Sequence, residues 1–237
     1  MSFAPFQIRI ELNTGITVGH YAPALDGLLS KVLHRHYGGD IERAIEGLSD
    51  YLLMNDSGYY HASTLSFGVN ADTGLFGTEF NTVRSLKGER DLHPSLFKPH
   101  GKGGKYPRII QDGGPTAPRL QKHLAYHAPL VCFEGYGNGH EIAELFRFYL
   151  LSIGSNGGPG AGDIGHIHVM EQEQDHSVVD AQNKLARVIP QADYKTLFNE
   201  DPAPEMLDQG RLIPPYWQKE ALCKTVRPET IRRQIIV

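Results

Sequence analysis

The first regular pattern in the chain is a period of two. Phe6, Ile8, Ile10 and Leu12 alternate with Gln7, Arg9, Glu11 and Asn13, which predicts a half-buried strand. The period then lengthens. In "APALDGLLSKVLHRHYGG" the residues Leu25, Leu28, Leu29, Val32 and Leu33 recur at helical spacing, and Gly38-Gly39 stops the helix. A second helical stretch carries Ile41, Ile45, Leu48 and Leu52 on one face. "GYYHASTLSFGV" reads as a strand with its turn, because Tyr59, Tyr60 and Thr64 suit a pleated surface.

Residues 70–122 break the pattern. They are rich in Gly and Pro and poor in apolar periodicity, and a loop of that length within one domain is either functional or disordered. Pattern returns in "HLAYHAPLVCFEGYG", where Leu130, Val131, Cys132 and Phe133 predict a buried strand. Asn138 is placed to cap a helix, with Glu141 as its capping-box partner. Ile142, Leu145, Phe146, Tyr149 and Ile153 form that helix's apolar stripe. A glycine-rich loop follows, then the strand "GHIHVMEQ" and a proline-punctuated tail.

This order predicts an α+β fold with a ferredoxin-like βαββαβ core. It is read as a single domain over 1–237, with an insertion at about 70–122 and a C-terminal extension at about 174–237. Composition adds little to that, since 237 residues with 40% hydrophobic content suit one ordinary globular domain. No stretch approaches the roughly 18 uninterrupted apolar residues of a membrane-spanning helix. The first residues show no basic region followed by an apolar run, so no secretory signal is visible. Two distant cysteines, Cys132 and Cys223, exclude a disulfide framework or zinc ribbon and suggest the cytoplasm.

Charge changes the picture in one place. The net charge is −4, so the whole chain lacks the basic signature of a nucleic-acid binder. The insertion is the exception. It gathers Arg84, Lys87, Arg90, Lys98, Lys102, Lys105, Arg108, Arg119 and Lys122. Only Glu89, Asp91 and Asp112 oppose them between positions 80 and 122. Such a cluster suits phosphate contacts, although most charge-rich loops are simply solvated.

The glycine loop contains Gly160-Ala161-Gly162-Asp163-Ile164-Gly165, a literal G-x-G-x-x-G. A dinucleotide fingerprint needs its glycines between a strand and the helix after it, so that the helix N-terminus meets the pyrophosphate. Here the helix precedes the loop and a strand follows it. No Gly-Lys-Ser/Thr completes a P-loop either. Gly157, Gly158, Gly160 and Gly162 instead suit a backbone that passes close to a ligand or offers N–H groups to phosphates. The bland alternative is a flexible connection.

These features resemble the RAMP superfamily of CRISPR-associated proteins. More narrowly, they are similar to the subunit of type IV effector complexes that caps the 5′ handle of the guide RNA, a Cas-five-like protein. Four stretches carry the resemblance: "ALDGLLSKVL", "GYYHAS", "ELFRFYLLSIGSNGGPGAGDIG" and "RLIPPYW". Where such loops often carry Lys or Arg before the glycines and an aromatic among them, this chain has Ser155, Asn156 and Ala161, with Asp163 adding negative charge.

The resemblance implies a non-catalytic binder of CRISPR RNA that needs no cofactor. Its implied partners are backbone (Cas-seven-like) subunits, a large subunit, target DNA near its protospacer-adjacent motif, and a DinG-type helicase, with no membrane. It assigns RNA contacts to Gly157, Gly158, Gly160, Gly162, Arg84, Lys87 and Arg90. Phosphate contacts fall to Lys98, Lys102, Lys105 and Arg108. Tyr216 and Trp217 are candidates to stack on a base, though the single Trp is read first as an anchor of the tail.

Two enzymatic alternatives stay open. RAMP endoribonucleases use His, Tyr or Lys as acid and base, which makes His34, His36 and His61 candidates beside Tyr59 and Tyr60. The second is a dinucleotide enzyme built on Gly160 to Gly165. His166 and His168 share a strand face at metal-compatible spacing, but no further ligand lies nearby, and the pair is read as structural.

Overall fold

The alternation at the start of the chain builds β1 (Ala4–Leu12), and the leucine-rich stretch builds α1 (Leu25–His36). The structure is a computed structural model that describes residues 3–70, 74–84, 119–155 and 160–235. Gly38 and Gly39, at φ of 68° and 99°, end α1, and the Gly39 N–H donates to the carbonyl of His34 at 2.7 Å. Next, α2 (Ile41–Glu46) is capped by Asp40, whose side chain accepts from the Arg43 N–H at 3.0 Å. It tightens into a 3₁₀ turn at Gly47–Asp50.

That tightening corrects the expected face. Ile41 is 38% exposed, whereas Ala44, Leu48 and Leu52 are buried. The α-helix lasts six residues, too few to keep one stripe in phase.

The predicted strand at 58–69 is shorter than expected. Only β2 (Ser66–Val69) is continuous, while Tyr60, Ala62 and Thr64 make isolated bridges to Met54, Gly135 and Ala24. The insertion is more regular than expected at its ends. β3 (Phe76–Arg84) and β4 (Arg119–His127) form a two-stranded sheet. Thr82 Oγ1 and His123 Nε2 are 2.8 Å apart, and the Phe80 and His123 rings lie 5.2 Å apart. By its contacts the chain divides into two compact bodies, Met1–Gly77 with Ala125–Val237, and Thr78–Leu124.

Within the larger body follow β5 (Leu130–Gly137), α3 (Gly139–Tyr149) and β6 (Ile164–Glu171). The Asn138 side chain accepts from the Glu141 N–H at 3.3 Å, half of the expected capping box. The other half is replaced, because the Asn138 N–H donates to the Tyr51 carbonyl at 2.9 Å. The tail then forms β7 (Ile189–Pro190), α4 (Gln191–Phe198), β8 (Leu207–Gly210), β9 (Cys223–Val226) and β10 (Arg232–Ile235).

The fold is mixed α+β, with a five-stranded sheet in the order β10-β2-β5-β1-β6 and a three-stranded sheet in the order β7-β9-β8. β1 runs antiparallel to β5 and β6, β2 antiparallel to β5, and β10 parallel to β2. Thus α1 joins β1 to β2 with β5 between them, and α3 joins β5 to β6 with β1 between them. The register sets Ile8 opposite Phe133 and Val169, and Ile10 opposite Val131 and Ile167. These side chains meet the buried leucines of α1 and Ile142 and Phe146 of α3 in one core.

The first strand was expected to be half-buried, yet Gln7 on its polar side is buried, together with Ser66, Cys132 and Glu134 on the same face of the sheet. The tail reaches this face at its β2 end: Asp180 pairs with Arg232 of β10 at 3.0 Å, and Gln234 Nε2 donates to Glu134 at 3.1 Å. The tail therefore completes the sheet rather than decorating it.

Candidate functional site

The loop that leaves α3 is stitched to residues 13–17, just after β1. The Thr14 hydroxyl donates to the Gly160 carbonyl at 2.8 Å and accepts from the Asp163 N–H at 3.0 Å. Gly162 N–H donates to Gly15 at 2.9 Å, Ile153 N–H to Gly162 at 2.9 Å, and Ser155 N–H to Thr17 at 2.9 Å. The Thr17 hydroxyl donates to the Ser155 carbonyl. Asn13 holds the Asp163 carboxylate at 3.0 Å. Little of the described part is free to swing.

Its glycines do different work. Gly162 has φ of 67°, and a Cβ there would lie 1.9 Å from the Ile153 carbonyl oxygen. Gly154, at φ of 88°, would drive a Cβ to 2.5 Å from the Thr17 carbonyl oxygen. Both serve the loop's own backbone packing. Gly160 differs: its φ is 92°, yet a Cβ there would meet nothing within 4 Å among the described residues. It lies on the wall of a notch. Gly157 and Gly158 lie outside the described residues.

The notch has a volume of about 480 Å³ and is bounded by Thr14, Lys31, Arg35, Leu151, Ser152, Gly160 and Asp163. Lys31 and Arg35 are four residues apart on α1, so they share the face opposite its buried leucines. The Arg35 guanidinium is fixed by donation to the Tyr149 carbonyl at 2.7 Å, at the end of α3. Partial burial, and then the charge of Arg35, lower the pKa of Lys31. Leu151 is 77% exposed at the rim. The arrangement offers two cations, hydroxyls from Thr14 and Ser152, an exposed apolar side chain and a glycine.

The cations of α1 beside the loop are ones that sequence reasoning passed over. Their signal was present as an i, i+4 basic pair on the polar side of a leucine helix.

Among the insertion candidates, Arg84 closes β3. Lys87, Arg90, Lys98, Lys102, Lys105 and Arg108 lie outside the described residues. The histidines fall in different surroundings. His36 Nδ1 is 3.0 Å from the Tyr149 hydroxyl, on the exposed end of α1. His61 Nδ1 is 2.6 Å from Asp175 and 3.4 Å from the Ser177 hydroxyl. Burial pushes the Asp175 carboxyl up, but hydrogen bonds from His61 and Ser177 outweigh it and hold it below its usual range. His36 and His61 share no partner, His34 lies one turn before the glycine stop of α1, and Tyr59 and Tyr60 are buried. His166 and His168 sit on one strand with ring centroids 6.3 Å apart, and His168 pairs with Glu11 at 3.1 Å. No metal-binding group of three ligands occurs among the described residues.

Tyr216 and Trp217 exchange roles. The single Trp was read first as the anchor of the tail, yet it is 75% exposed. The anchor is Tyr216, whose hydroxyl donates to Asp26 at 2.6 Å although the residue as a whole is 40% exposed. Asp26 is buried in the first turn of α1 and is 3.5 Å from Arg187, itself only 2% exposed. Arg187 also donates to the carbonyls of Ala62 at 3.2 Å and Leu212 at 3.0 Å, and its guanidinium lies 4.8 Å from the Tyr59 ring centroid. A short-range sequence reading gives no sign that positions 26, 187 and 216 meet.

No helix among the described residues is long and apolar enough to cross a membrane. No protein-family model matches this sequence, and neither does any curated protein.

Proposed function

We propose that the chain is a RAMP-type, non-catalytic RNA-binding protein that caps the 5′ handle of a CRISPR RNA in a type IV effector complex. The observation that carries this reading is the notch, where a glycine loop after the second core helix faces a basic pair from the first. The strand order β2-β5-β1-β6, with each helix bridging two strands across a third, supports a ferredoxin-like core. Backbone close approach beside Lys31 and a hydrogen-bonded Arg35 suits a single-stranded phosphate chain. On the polar sheet face, where simple RNA-binding sheets stack bases, Gln7, Cys132 and Glu134 are buried, whereas His166, His168 and Met170 on β6 are exposed. In this reading RNA meets the protein at the helix-and-loop side, and the basic insertion adds phosphate contacts.

The reading extends to a cytoplasmic protein that assembles with repeated backbone subunits and a large subunit and contacts target DNA. The deciding experiment is purification from the native host followed by sequencing of bound nucleic acid. Short RNAs sharing one 5′ sequence are the expected result. Folded protein free of RNA would sink the reading. Incubation with repeat RNA separates this function from endoribonuclease activity, since binding without cleavage over hours is expected.

A further inference from the structure

The ends of α1 and α3 meet beside the notch, and one residue joins them. The Tyr149 carbonyl accepts from the Arg35 guanidinium at 2.7 Å, and the Tyr149 hydroxyl is 3.0 Å from Nδ1 of His36. Its ring also packs close to perpendicular against two others. The Phe148 ring lies 4.6 Å away at 69°, and the His36 ring 5.6 Å away at 84°. His36 in turn packs against Tyr37 at 5.0 Å. A row of rings therefore crosses the two helix ends, starting next to a cation of the notch.

Phe148 ends that row and is 77% exposed. It stands away from the buried stripe of α3, formed by Ile142, Ala143 and Phe146, so it adds nothing to the core. A single surface phenylalanine means little by itself. What sets this one apart is its setting. Tyr149 ties it to Arg35, and Leu151, three residues on and equally exposed, bounds the notch. Lys31, Arg35 and His36 are exposed as well. The carboxylates of the same stretch already have partners: Glu144 pairs with Arg147 at 2.6 Å, and Asp163 is held by Asn13 at 3.0 Å.

We propose that Phe148 is the stacking surface for an unpaired base of single-stranded RNA whose backbone lies along Lys31 and Arg35. The inference deepens the RNA-binding reading and rests on it. A single strand alternates anionic phosphates with flat apolar bases, and the surface that fits it sets cations beside open aromatic rings. The core of a protein–protein interface is instead depleted of charge, whereas here a guanidinium is bonded to the residue next to Phe148. A duplex keeps its bases stacked on one another and offers none to the ring. Tyr149 is the positioning residue, since its two ends hold Arg35 and His36 while its ring supports Phe148.

The test is fluorescence anisotropy of the full chain with a short labelled single-stranded RNA of mixed sequence, and with an abasic strand of the same length. Phe148→Ala is expected to weaken the RNA at least about fivefold, with the melting temperature and the salt slope unchanged. Phe148→Trp should keep or tighten binding. Phe148→Leu should behave like the alanine variant, because leucine keeps apolar area but presents no ring. The abasic strand should bind wild type and Phe148→Ala alike. If wild type binds RNA and Phe148→Ala binds it equally, the stacking surface falls and RNA binding stands. Full binding by Phe148→Leu, or an equal loss on the abasic strand, overturns the proposal in the same way. If wild type binds no RNA, the RNA-binding reading falls and the stacking surface with it. Sedimentation of both proteins examines the other occupant. Self-association that Phe148→Ala abolishes, with RNA affinity unchanged, would make this surface a contact between copies of the chain and overturn the proposal.

Discussion

Asp26 has no solvent contact and three donors: the Gly27 N–H at 2.8 Å, Tyr216 at 2.6 Å and Arg187 at 3.5 Å. Burial raises its pKa in spite of Arg187, because the guanidinium stands off and spends its other donors on carbonyls. The phenol supplies the shortest of the three bonds. Tyr216→Phe is therefore expected to destabilise the fold by about 1–3 kcal/mol in urea titration, since it strips a buried acceptor of its partner. Trp217→Ala, at a mostly exposed ring, should stay within about 0.5 kcal/mol of wild type. Glu134 presents the opposite situation. One oxygen accepts from Gln7 at 2.5 Å and Gln234 at 3.1 Å, and the other, Oε2, is buried without a partner. Burial raises its pKa above the ordinary 4.5. Below that ordinary value the carboxyl is neutral in the folded and unfolded chain alike, and its contribution to stability is complete. As pH rises through the raised folded value that contribution is lost. Glu134→Gln should thus raise the melting temperature near neutral pH and flatten its decline as pH rises above the ordinary 4.5. Cys132, on the same face, has its thiol pushed up to about 12 by burial, so alkylating reagents should modify Cys223 first.

At the scale of elements, the glycine loop separates two demands that its sequence merges. Gly162→Ala puts a Cβ into a backbone carbonyl and also strains φ. It should cost more than about 2 kcal/mol in equilibrium unfolding. Gly160→Ala bears only the positive φ, about 1 kcal/mol, and should affect RNA affinity more than stability. This loop shows how far the sequence could be read. Its place between helix and strand weighed against the dinucleotide fingerprint, and the periodicities of β1, α1 and α3 gave core strands and helices. What lay beyond the pattern was pairing between distant residues. Nothing local says that Gly162 packs on Ile153, or that Thr14 closes the loop. Nor does any period show Lys31 and Arg35 beside Ser152, though their spacing on α1 was visible. The edges of the insertion were missed for a different reason. In "FGTEFNTVR" the alternation is mostly polar, and short ribbons of that kind leave little hydrophobic signal.

At the scale of the molecule, positive charge is gathered in two stretches of the chain: the Lys31–Arg35 pair on α1 and the basic run of the insertion. Their effects on RNA are separable by salt. Lys31→Glu with Arg35→Glu should weaken single-stranded RNA and reduce the slope of log affinity against log salt by about 1–2. Lys102→Glu with Lys105→Glu should do the same independently if the insertion also meets phosphates, and an unchanged slope would remove it from the contact surface. The strand that closes the main sheet has a further consequence, for synthesis on the ribosome. β2 pairs on one side with β5 but on the other only with β10, about 160 residues later. At translation rates of about 5–20 residues per second, the outer edge of β2 emerges roughly 10–30 s before its partner exists. During that interval the nascent chain carries an open, apolar strand edge, the kind that recruits neighbouring chains. Holding it covered, whether by a chaperone or by slow decoding of the intervening stretch, would decide how much of the protein reaches its folded form in a heterologous host.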